Sequence, residues 1–117
     1  MASGPERKVE PLASDRASTL TELVAVAPGA IVSRVLAKSG GGNVTLFAFD
    51  RGQALSEHTA PFDALVQVID GCLDVTIDDA KIRVASGDIV RMPADVPHAL
   101  HAVEACRMVL TMLRDKE

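Results

Sequence analysis

The sequence predicts an all-β domain, a sandwich or a barrel. From Ala30 onward, short runs rich in Val, Ile and Leu recur at intervals of roughly ten residues, separated by clusters of Gly, Asn and Asp. No long helical stretch stands between them, which argues against a parallel βαβ architecture. With 117 residues there is room for one core and one domain.

Residues 1–13 are polar, charged and broken by proline, and read as a flexible N-terminal arm ahead of a single domain over 14–117. Residues 14–23 suit a short helix, with Thr19 and Glu22 at capping-box spacing before Leu23 and Val24. The strand runs follow. Ile31–Leu36 ends at the Ser39-Gly40-Gly41-Gly42-Asn43 break, and Val44–Phe49 ends at Asp50-Arg51-Gly52. Ala64–Ile69 and Cys72–Ile77 flank Asp70-Gly71. Asp78-Asp79 makes a tight turn into Lys81–Val84, and Ser86-Gly87-Asp88 turns into Ile89–Met92. Ala99–Leu113 is ambiguous: its Ala, Leu and Met favour helix, yet Cys106, Met108, Leu110 and Met112 alternate as in a buried strand.

Composition narrows the function. Apolar residues make up 48% and charged residues 24%, ordinary for a soluble globular protein. A net charge of -4 argues against binding a phosphate backbone, so no nucleic-acid partner is expected. Three Phe with no Trp or Tyr leave almost nothing for base stacking or aromatic sugar platforms. No apolar run approaches the roughly 18–20 residues of a membrane span, and the first twenty residues lack a signal-peptide core. The expected location is the cytosol, without membrane contact. Cys72 and Cys106 then read as two reduced, buried thiols.

Two glycine-bounded segments carry the candidate chemistry: Gly52 to Gly71, containing His58, and Gly87 to Ala102, containing Pro93 and His98. They resemble the two motifs of the cupin superfamily. The first motif reads G, five residues, H, one, H, three or four, E, six, G; the second reads G, five, P, one, G, two, H, three, N. Gly52, His58 and Gly71 match the first, and Gly87, Pro93 and His98 the second, in spacing and order. The resemblance spans roughly residues 30–113, and the stretch from Ser56 to Gly71 also resembles a subgroup of small single-domain bacterial cupins without a clear assigned activity. It implies a jelly-roll barrel with a short N-terminal helix or arm.

The departures shape the functional expectation. A cupin metal site typically gathers three His and one Glu, because each donor replaces part of the ion's water shell. Here the second His position is Ala60 and the Glu position is Ala64, while the second motif's Gly and Asn positions are Asp95 and Ala102. Only His58 and His98 remain as matched ligands, for one divalent transition metal of the Fe, Mn, Ni, Zn or Cu group. Among substitutes, His101 falls on the opposite face of a 98–103 strand, Glu57 should face outward, and Asp63 would need a bend. Gln53 sits in the turn. Met108 and Met112 suit Cu(I) if they face inward, though Met commonly fills core gaps.

The inward candidates His58, Ala60, Phe62, Ala64, Val66, His98 and Leu100 would line a mostly apolar pocket with two imidazoles as its polar points. That composition suits a small organic ligand. Three readings stay open: a ligand-binding cupin with a weak two-His metal centre, a metal-dependent dioxygenase, isomerase or decarboxylase, and a structural or interaction module. No residue is assigned a catalytic role. A homodimer is expected, with residues 14–38 pairing across the interface and Leu65, Ile69 and Leu73 on an outer apolar face. Lys81, Arg83 and Arg91 alternate with apolar residues and read as a solvated face.

Overall fold

The computed structural model describes residues 6–9, by their backbone, and 11–114. Residues 1–5 and 10 of the expected arm, and 115–117 at the end of the expected domain, lie outside the described residues. The elements in order are β1 (Glu6–Val9), α1 (Leu20–Leu23), β2 (Ile31–Ser39), β3 (Gly42–Phe49), β4 (Ala54–His58), β5 (Asp63–Asp70), β6 (Cys72–Ile77), β7 (Ala80–Ala85), β8 (Ile89–Met92), β9 (His98–Ala102) and β10 (Cys106–Leu113). They form a six-stranded sheet, β1-β2-β3-β10-β5-β8, facing a four-stranded sheet, β4-β9-β6-β7. The strand spacing predicts the all-β class, and the jelly-roll arrangement is the one that the resemblance implies.

The ambiguous 99–113 stretch resolves into two strands. His98, Leu100 and Ala102 are buried while His101 is exposed, so alternation prevails over helix propensity. β10 lies in the middle of its sheet and is paired on both edges, with β3 and with β5. Residues 107–113 face a strand partner on both sides, a gain that local Ala and Leu preferences do not match.

Side chains from both sheets meet in one core: Phe47, Phe49, Val66, Val68 and Met108 from the larger, Leu73, Val75, Leu100 and Ala102 from the smaller. Each fully buried Leu or Phe there contributes about 2–3 kcal/mol. Leu73 is fully buried in this core and does not belong to the outer apolar face expected for it. Its register partner Ala102 is likewise buried, so β6 turns Leu73 and Val75 inward together. Leu65 and Ile69 are half-buried.

A second cluster covers the outside of the large sheet. Val24, Leu36, Leu46 and Ala48 are buried there, with Leu20, Leu23 and Val26 packed against them. This explains why Thr45 to Phe49 are buried without interruption: one face of β3 meets the core and the other meets the chain before β2. Arg107 pins that chain in place. Its Nε donates to the Val24 carbonyl at 2.9 Å, and its Nη1 bonds Asp70 at 2.8 Å.

The N-terminal expectations change in detail. The helix is a single turn whose Thr19 side chain makes no capping hydrogen bond. Glu6–Val9, read from sequence as part of a flexible arm, forms a strand parallel to β2. β2 thus pairs with β1 over Val32–Val35 on one edge and with β3 on the other. Cys106 is buried, and burial is the main cause pushing its thiol up to about 12; Cys72 is only partly buried, and neither forms a disulfide.

Gly71 joins β5 to β6 at φ 80°. A Cβ there would overlap the Ala105 carbonyl oxygen and the Cys106 Cβ, so the motif's closing glycine is a packing requirement as well as a conformational one.

Candidate functional site

His98 opens β9, where the alternation of the strand turns it inward, and its residue is only 5% exposed. His58 closes β4 and is exposed. The placement of His58 depends on a bulge. Leu55 pairs with Leu100 and His58 pairs with His98, so Ser56 and Glu57 together face the single residue Ala99. Strict alternation from Leu55 would bring Glu57 opposite His98; the extra residue brings His58 there instead. The pair sits at the rim of the core, one ring buried and the other open to solvent.

The rings meet edge-on, with centroids 4.3 Å apart and planes at 71°. Their Nε2 atoms are 3.1 Å apart. Each Nδ1 faces a backbone carbonyl two residues earlier, Ser56 at 2.8 Å and Val96 at 3.2 Å. A carbonyl only accepts, so both Nδ1 atoms donate, and a neutral imidazole has a single N–H. Both Nε2 atoms then present lone pairs to each other. The conflict is relieved when the pair takes a proton between the rings or when a cation sits against both. Burial, more than the nearby His58, holds His98 below the ordinary histidine range, while the Val96 carbonyl opposes this. His98 thus keeps its Nε2 lone pair to lower pH than a free histidine does.

The donor set fits a transition metal at two positions. His58 and His98 would hold such an ion through their Nε2 atoms, the imidazole donors that transition metals commonly take. Among the described residues no group of three or more His, Cys, Asp or Glu assembles here or elsewhere to hold a metal. Asp63 is engaged otherwise: its carboxylate accepts from the Ala94 N–H at 2.8 Å and pairs with Arg91 at 3.4 Å. Glu57 and His101 are exposed, and His101 lies on the outer face of the small sheet, opposite Asp74.

Of the expected pocket residues, Ala64, Val66 and Leu100 are packed in the core. Ala60 and Phe62 are partly buried and lie outside any strand, because β4 ends at His58 and β5 starts at Asp63. The inward row expected to include Phe62 is therefore interrupted. Its ring packs beneath the Arg114 guanidinium, 5.4 Å from the ring centroid, and lines a cleft with Pro61, Asp63, Ala94 and Leu113. Met108 is a fully buried core residue, and Met112 packs against the same core.

Two features of the His98 loop escaped the sequence reading. Asp95, where the motif has glycine, adopts φ 64°, and its N–H donates to the Ala60 carbonyl at 2.7 Å. Asp tolerates the left-handed region better than most residues, which explains how the motif survives the exchange. The Asp78 N–H donates to the Pro97 carbonyl at 2.8 Å, so the β6–β7 turn braces the residue before His98.

A cupin domain profile matches residues 45–113, more than half of the chain, and the chain belongs to the cupin family. Among solved structures, it is similar to a conserved protein of unknown function from Streptococcus pyogenes, at 35% identity and a TM-score of 0.86 over 91% of this chain and 93% of that one. A cupin superfamily protein from Desulfitobacterium hafniense is 29% identical, with a TM-score of 0.84 over 89% and 95% of the two chains. A cupin 2 conserved barrel domain protein from Leptotrichia buccalis is 34% identical, with a TM-score of 0.77; the match covers 80% of this chain and 45% of that one. No curated protein matches the sequence.

Proposed function

We propose that this cupin binds a small organic ligand at the His58–His98 pair, with the two Nε2 atoms holding one divalent transition metal as a weak two-imidazole centre. The observation that supports it is the 3.1 Å approach of two Nε2 atoms, with each Nδ1 facing a backbone carbonyl. This hydrogen bonding fixes the tautomer that leaves both lone pairs free, the usual arrangement behind an imidazole ligand. Buried His98 would be the fixed donor, and exposed His58 would hold the same ion from its solvent side. Ala60 and Ala64, at the other two ligand positions of the motif, supply no donor. When bound, the ion would supply open coordination positions for an oxygen of the ligand.

The test is calorimetric titration of chelator-treated protein with Zn2+ or Ni2+, followed by acetohydroxamate as a small chelating probe. Saturable metal uptake, lost in His58→Ala and in His98→Ala alike, and acetohydroxamate binding only to the metal-loaded protein would support the reading. Uptake that persists in either variant would overturn it.

A further inference from the structure

The outer face of the small sheet carries a groove of about 440 Å3 that has no part in the imidazole pair. The register lays it out. Ala54, His101, Asp74 and Arg83 stand side by side across β4, β9, β6 and β7, and Ala99, Thr76 and Lys81 form the adjacent row. The small side chains of Ala54 and Ala99 leave depth between the larger ones. Ser56, Thr76, Lys81 and His101 line the groove.

Asp74 is the unusual member. Among the described residues no strand or helix packs over this face, yet its side chain is only 6% exposed. Arg83 covers it, with Nε at 2.6 Å from one carboxylate oxygen and Nη2 at 3.5 Å from the other. The Lys81 ammonium approaches to 3.7 Å. The Arg83 hydrogen bond holds Asp74 below the ordinary carboxylate range, so the carboxylate stays charged and is already satisfied. One carboxylate against two cations leaves one positive charge in excess around Asp74, with Arg83 beside the groove rather than among its lining residues. In a chain of net charge -4 this is a local reversal of sign. Lys81, 69% exposed, has donors to spare, and the Ser56 and Thr76 hydroxyls add more. A cationic ligand would meet repulsion and a carboxylate already taken. An anion meets free donors at one end and alanine methyls along the floor.

We propose that this groove is a second binding site, for a small organic anion with an apolar body, such as a monocarboxylate, held by Lys81 and His101 with the Ser56 and Thr76 hydroxyls. Asp74 acts as a positioning residue that holds the Lys81 side chain over the groove. The volume lies within the range of small-ligand sites. The site is independent of the metal reading, because Lys81 and His101 face away from His58 and His98 across the small sheet.

The test is an amide chemical-shift titration of the full chain with benzoate as probe, and benzamide as its neutral counterpart. Saturable shifts centred on Thr76, Lys81, Ala99 and His101, with benzamide about tenfold or more weaker, are expected. Lys81→Gln should weaken benzoate by about tenfold, and Lys81→Arg should retain most of the binding. Lys81 is exposed, so neither variant threatens the fold. The shifts should persist in His58→Ala, which separates this site from the imidazole pair. Shifts centred on His58 and His98, equal binding of benzamide, or an unchanged affinity in Lys81→Gln would overturn the proposal.

Discussion

His58 and His98 are forty positions apart in the chain, yet their Nε2 atoms approach to 3.1 Å, one ring buried and the other in solvent. The asymmetry has a consequence for how the pair is assembled. The buried ring is held by strand alternation, the exposed ring by a single extra residue in β4.

That dependence predicts opposite outcomes for two changes of equal size. An exchanged variant, Glu57→His with His58→Ala, moves the imidazole by one position while the bulge keeps an alanine, which offers no donor, opposite His98. Metal uptake measured by calorimetry should be lost. Deleting Glu57 removes the extra residue but leaves His58 paired with His98, and uptake should survive. Undiminished uptake in the exchanged variant would show that the bulge does not select the ligand.

The lowered proton affinity of His98 predicts a pH-dependent stability. Its unfolded value is near 6.5, and burial depresses the folded value. Below 6.5 the unfolded chain takes up a proton that the folded chain refuses, so stability falls as pH drops from 6.5 to the folded value and levels off beneath it. Urea unfolding with a chelator present should show this slope, and His98→Gln should reduce it. A slope of the opposite sign in the parent protein would contradict the burial argument.

Asp95 in the left-handed region predicts a ranking. Asp95→Gly should leave stability unchanged or raise it slightly, because glycine accepts φ 64° without strain. Asp95→Val should cost about 1–2 kcal/mol, since a β-branched residue is poorly suited to that region. Denaturation midpoints of the two variants decide the matter, and equal midpoints would refute it.

Gly71→Ala should be far more damaging than an exposed glycine change. The added methyl would overlap the Ala105 carbonyl oxygen and the Cys106 Cβ at a positive φ, and relief requires shifting the start of β10. A loss of about 2 kcal/mol or more is expected. Gly52→Ala, with open space around the new methyl, should lose less; only its positive φ counts against it. Thermal unfolding of both proteins compares them, and a milder effect at Gly71 would be inconsistent with this packing.

Much of the architecture was legible in the sequence because it rests on local signals. β-branched runs and turn residues marked most of the strands. The tight turn at Asp78-Asp79 even determines a register: residues equally distant from it must pair, which places Asp74 beside Arg83. Reading Lys81 and Arg83 as merely solvated overlooked that pairing, although the signal was present.

The two motifs selected His58 and His98 from three histidines, and the period of a strand separated His98 from His101. The sequence by itself thus determined the family, most of the strand order along the chain and the identity of the paired imidazoles. The tertiary structure alone decided their distance, their unequal exposure and the bulge that aims His58. It also decided that Leu73 lies in the core, that Glu6–Val9 joins β2, and that Phe62 leaves the inward row. The physical reason is the range of the forces involved. Propensity and periodicity act over a few residues, whereas a bulge, a register between distant strands and a buried carboxylate depend on partners that only packing brings together.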